Sequence, residues 1–336
     1  MDLSRRAVLT SGAALAAAGA LPAAAAVAPV AEIALVMNSA DASVSVIDMA
    51  TRREIRREPV LREPHHWTLS PDGRTLLVGD AAGNALFSFD PATGAPLGHQ
   101  VCADPYQLWI SPRGSVLVVA ALRLDHIDIY DAAGRTLKKR IAARSMPSHI
   151  AFSPDEAMVF VTLQRSGAVM AIDLARLAPV WTQPSGPTPA GIVWHDGRLL
   201  VACMGSDHVA EMDPADGRVL RRIVTGKGTH IIAPAPDGDT IYVGNRVGGT
   251  LTALDAATLK PRQSFTLSGG PDCIAFAPDG KLWITRRFTT TVAVLDPASG
   301  SVEPITVGRS PHGIFLSSVL PAARRDPAAA LGTASV

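Results

Sequence analysis

Along most of this chain, apolar residues alternate with small or polar ones in runs of five or six. Such runs are too short for helices and have the period of half-buried strands. Residues 271–300 show the unit: strands are predicted over 273–277, 282–285 and 291–295. A Pro278-Asp279-Gly280 turn joins the first two, and residues 296–300 turn the chain back. The turn has a mechanism, since Pro fixes φ on entry, Asp bonds its own backbone and Gly accepts positive φ.

The unit recurs. Its first strand is marked by Pro64, Pro105, Pro147, Pro189, Thr229, Pro271 and Pro311, at intervals of 41, 42, 42, 40, 42 and 40 residues. Turns of the Ser-Pro-Asp-Gly type follow, as at Ser70 to Gly73, Ala235 to Gly238 and Ala277 to Gly280. Several short strands per unit of this length predict radial blades of four-stranded sheet, because each blade needs neighbours to bury both faces. Residues 32–38, 42–48 and 53–61 read as strands two to four of a blade without its first strand, and 311–318 as a first strand without its blade. The expectation is an all-β, seven-bladed β-propeller over 32–318, its closing blade built from both ends and followed by a tail over 319–336.

With Ile150-Ala-Phe-Ser-Pro-Asp, Ile241-Tyr-Val-Gly-Asn and Val44-Ser-Val-Ile-Asp as its nearest matches, the repeat resembles the YVTN-type seven-bladed propellers of bacterial exported and surface-layer proteins. The resemblance implies a fold that hosts lactonases, lyases, haem-binding domains and plain scaffolds, so it does not choose a function.

Composition adds export and removes two partner classes. Ser4-Arg5-Arg6-Ala7-Val8-Leu9, an Ala-rich run to Leu21 and small residues at 24–26 resemble a twin-arginine signal peptide over 1–26, so the mature protein is expected in the periplasm or outside the cell. The apolar run is too short to span a bilayer, and no membrane span is expected after cleavage. Cleavage removes two of the 31 basic and one of the 30 acidic side chains, which leaves a formally neutral protein with no electrostatic case for nucleic acid. Cys102, Cys203 and Cys273 lie too far apart in sequence for a metal motif and read as buried thiols. No covalent haem motif, phosphate loop or nucleophile elbow occurs.

Candidate chemistry gathers where the first strands begin. The position after each marker holds His65, Tyr106, Ser148, Ala190, His230, Asp272 and His312, and the next holds His66, Gln107, His149, Gly191, Ile231, Cys273 and Gly313. Five of the nine histidines fall in these places, partly because the family often enters its first strand through Pro-His. His230, Asp272, His312 and His65 occupy consecutive blades five, six, seven and one, where imidazole and carboxylate suit a divalent metal or acid–base work. Alternation along a strand requires these four first positions to face the channel together. Arg246 and Arg286, at second-strand ends of blades five and six, are expected to stand above them, with Asn38, Asn245 and Asp80 making the same side polar. His66 and His149 complete the candidate ligand-binding set. His99, His126 and His208 read as structural, and Trp67, Trp109, Trp181, Trp194 and Trp283 as packing between sheets.

The expected function is a ligand-binding or protein-interaction module using the polar face of the channel, with a small anionic or amphipathic ligand or a periplasmic protein as partner. The rival is a propeller enzyme or cofactor-binding protein, a lactonase-like hydrolase or a binder of haem d1 or a metal. No particular cofactor follows from the sequence.

Overall fold

The computed structural model describes residues 32–133 and 135–321 of the 336-residue chain. The expected signal peptide and most of the expected tail lie outside the described residues. Twenty-eight strands form seven four-stranded antiparallel sheets, and six of these are consecutive in sequence. Blades one to seven begin with the strands Pro64–Leu69, Pro105–Ile110, Pro147–Phe152, Pro189–His195, Thr229–Pro234, Pro271–Phe276 and Pro311–Leu316. These first strands line the axis. Burial then falls outward: the second strand of blade two, Val116–Ala121, is buried throughout, whereas the outermost strand of blade one, Pro96–Val101, is exposed throughout.

The apolar clusters sit between blades. Leu200 and Val209 of blade four pack with Ile241, Val243 and Leu254 of blade five, so one sheet's far face completes its neighbour's core.

The closing blade is the expected one. Pro311–Leu316 pairs antiparallel with Ile33–Asn38 in the register Ala34 to Leu316, Leu35 to Phe315 and Val36 to Ile314. The backbone N–H of Ile33 donates to Ser317 Oγ at 2.8 Å, and that of Gly308 to Asn38 Oδ1 at 3.1 Å. Ordered packing reaches beyond the expected start of the tail, because Leu320 is buried in the cluster shared by blades seven and one. Among the described residues no helix is long and apolar enough to cross a membrane.

Candidate functional site

Entry into the first strands is built alike in six of the seven blades. The residue before the marker adopts positive φ at Asp104, Met146, Thr188, Gly228, Gly270 and Ser310, which swings the chain toward the axis. A β-bulge follows in every first strand. In blade one Pro64 pairs with Asp80 and Trp67 with Val78, so two residues, His65 and His66, oppose one. The same shift occurs between Pro147 and Ile150, Thr229 and Ile231, Pro271 and Ile274, and at the equivalent points of the other blades. Simple alternation is therefore broken where it was expected to sort the two positions, and both rows reach the channel.

The outcome is a buried histidine cluster that fills the axis. His65 lies 3.7 Å from His312 between ring centroids and 4.1 Å from Tyr106. His66 sits edge-on to His312 at 4.5 Å, and His149 bridges His66 at 5.2 Å to His230 at 5.4 Å. All five imidazoles are at most 6% exposed. Gly313 allows this closeness, since a Cβ there would meet the His65 carbonyl oxygen at 2.5 Å.

Asp272 anchors one side. Arg246 Nη2 and His230 Nδ1, the latter at 3.0 Å, share its Oδ1. Oδ2 lies 3.4 Å from His312 Nε2 and 4.0 Å from Arg287 Nε. Burial opposes the Asp272 charge, yet Arg246, His230 and Arg287 outweigh it and hold the carboxyl well below its ordinary range. Burial, reinforced by Arg246, lowers His230 to about 4, and burial lowers His66 to about 3 despite Asp272. His65, His149 and His312 are likewise held well below 6.5, chiefly by burial. The cluster is neutral imidazole at neutral pH.

Several ring nitrogens are left without a hydrogen bond to protein: His65 Nδ1, His66 Nε2, His149 Nε2 and His312 Nε2, together with Asp272 Oδ2 and Arg246 Nε. Leaving a buried polar group unpaired costs about 1–3 kcal/mol, so this concentration makes the axis the candidate site. Asp272→Asn should destabilise the fold by about 3 kcal/mol, because it strands buried guanidinium charge while conserving volume. Urea unfolding checks this; an unchanged midpoint would show that the arginines turn to solvent instead.

The arginine assignment changes in detail. Arg286 does not approach Asp272; its Nε donates to Thr291 Oγ1 at 2.8 Å, and Arg287 takes the place beside the carboxylate. The polar second-strand ends are also mostly structural. Asn38 Nδ2 donates to Ser43 and Ser45, Asn245 Nδ2 to Thr250 and Thr252, and Asp80 accepts from the backbone of Arg62, Glu63 and Gly83.

Trp109 does not pack between sheets as expected but stands exposed at the wall of a cavity of about 280 Å³. Trp194 packs as expected against the core between blades three and four, its ring 6.1 Å from that of Phe160, and also lines this cavity. Its walls come from the first strands of blades two to five, including Phe152 and Ile232, and its polar lining from Gln107 and His149. Ser148 Oγ accepts from Gln164 Nε2 at 2.7 Å and shares a hydrogen bond with His149 Nδ1 at 2.6 Å, while His149 Nε2 has no protein partner. Trp67, Trp181 and Trp283 do pack as expected; Trp67 Nε1 donates to Ile314 O at 2.7 Å and its ring meets Phe315. All three cysteines are free, and Cys273 Sγ lies 3.8 Å from His312 Nδ1.

Seven closed blades around a channel plugged by histidine and a buried Asp–Arg pair define a β-propeller with a candidate ligand site on its axis. Residues 5–322 match the model of the YNCE-like beta-propeller family, and the chain belongs to that family. No curated protein sequence matches it. In fold it is similar to a functionally unknown protein from Desulfotomaculum acetoxidans DSM 771, with a TM-score of 0.74 and 16% identity over 84% of this chain and 98% of that one. The periplasmic gluconolactonase PpgL of Pseudomonas aeruginosa gives a TM-score of 0.69 and 19% identity over 85% and 98%. The dihydro-heme d1 dehydrogenase NirN, solved in complex with DHE, gives 0.65 and 18% over 86% and 76%. At these identities the likeness is one of fold.

Proposed function

We propose that the protein is an exported ligand-binding module that takes a small anionic ligand at the axial site of blades five, six, seven and one. The observation that carries this reading is an imbalance of charge. Arg246 and Arg287 face one carboxylate, Asp272, and the nearby Arg286 has no carboxylate partner among the described residues. With neutral imidazoles this end of the channel holds net positive charge, and the unpartnered Arg246 Nε adds a free donor. An anionic group restores the balance and satisfies donors that the protein leaves unpaired. The apolar cavity ending on His149 gives an amphipathic ligand a second place to seat its body.

Export by the twin-arginine route belongs to the same proposal and rests on Arg5-Arg6 and the Ala-rich run after them. Recovery of the full-length gene product from the periplasmic fraction of its host checks it. On that material, with chelator present, inorganic phosphate, acetate and gluconate are titrated by calorimetry. At least one is expected to bind, and His230→Ala combined with His312→Ala is expected to weaken it at least tenfold while the melting transition survives. Equal binding by the double variant, or no heat from any of the three, counts against the site. The rival reading as a haem d1 binder is met by the absorption spectrum of the same sample, and the hydrolase reading by lactone turnover.

A further inference from the structure

We propose that His65, His66 and His312 form a site for a single Cu(I) ion. The inference rests on the reading of the axis as a ligand site and names a second occupant for it. Each of the three residues offers one ring nitrogen, and the three nitrogens lie within 4.8 Å of one another in a fully buried setting. A trigonal ion with metal–nitrogen bonds of about 2.0 Å holds its donors about 3.5 Å apart, so from a spread of up to 4.8 Å the nitrogens close by about 1.3 Å at most. One nitrogen on each ring has no hydrogen bond to protein, so an ion that takes it displaces no protein partner. His312 also joins Asp272 and Cys273 in a second close group of potential ligands, which places a soft sulfur beside the imidazoles.

Charge selects the ion. Imidazole suits both zinc and copper, and Cys273 is not one of the three donors, so the choice between the ions falls to charge. Arg246 and Arg287 exceed Asp272 by one positive charge close to the cluster. With an effective dielectric constant near 20 and a separation of about 6 Å, each unit of positive charge added to the site lowers affinity by roughly a hundredfold. A monovalent ion bears this once and a divalent ion twice. The protein is therefore expected to prefer Cu(I) over Zn(II), although three histidines alone would accept either.

The test is anaerobic titration of the chelator-stripped mature protein with Cu(I) against bicinchoninate, and with Zn(II) by calorimetry. One equivalent of Cu(I) is expected to bind at least a hundredfold more tightly than Zn(II). His312→Ala and, separately, His66→Ala should each weaken Cu(I) at least a hundredfold. X-ray absorption of the copper-loaded wild type should show about three imidazole scatterers, a readout that does not depend on the variants folding. Zn(II) binding as tight as Cu(I), substoichiometric copper, or a spectrum without imidazole scattering would overturn the proposal. The anion titrations use metal-free protein, so loss of the copper site leaves them standing and failure there leaves this one standing.

Discussion

Deleting residues 311–336 is expected to abolish the cooperative folding transition. The deletion removes the first strand of blade seven and with it Ile314, Phe315, Leu316 and Leu320, each at most 2% exposed. Burying one such side chain contributes about 1.5–3 kcal/mol, so the four together contribute roughly 6–12 kcal/mol. Whole domains are stable by only about 5–15 kcal/mol. The loss also removes the inner partner of Ile33–Asn38, which stays paired only with Ser43–Asp48, and leaves the closing blade one strand short. Circular dichroism during heating measures it, and a truncated protein that melts cooperatively at the wild-type temperature would show that the ring does not depend on closure.

This closure was legible because the repeat has a fixed period: a missing first strand before Ile33 and a spare one at Pro311 leave one consistent arrangement. The meeting of His65, His230, Asp272 and His312 was legible for the same reason, since each stands one residue after its marker and the ring puts equal offsets at equal heights. What was lost lies at single-residue resolution. Side-chain direction in a strand has a period of two, so one bulge changes which side a residue faces. The seven bulges bring His66 and His149, which their offset of two from the marker already places in the candidate set, to the axis beside the first row, where strict alternation would have turned them away. Arg286 and Arg287 present the same problem at a strand end, where neighbouring residues point apart and only the backbone decides which one meets Asp272. Trp109 reads as sheet packing from its hydrophobicity alone, which does not distinguish an interface between sheets from the exposed wall of a cavity.

Metal-free protein is expected to lose stability steeply as pH falls from about 6.5 toward 4. Burial holds His230 at about 4 and His66 at about 3 in the folded chain, against 6.5 when unfolded, and His65, His149 and His312 are displaced in the same direction. Within that window the unfolded chain binds protons that the native chain refuses, so unfolding free energy rises with pH and falls with acid. Asp272 does not blur the result. Its folded pKa is depressed, so its contribution is lost only as pH falls below the ordinary carboxylate value of 3.8. The size is set by about 1.4 kcal/mol per pKa unit; His230 alone represents on the order of 3 kcal/mol, and its four neighbours act with the same sign. Urea midpoints measured between pH 7 and 4.5 in the presence of chelator should therefore give a slope of more than two protons per molecule. Replacing His66 with Gln should reduce that slope by up to one proton. A slope below one proton would mean that the folded channel accepts charge on its histidines. The water or counter-ion needed to carry that charge would then have to reach the axis, and an easily hydrated channel would no longer support a buried site of neutral imidazoles.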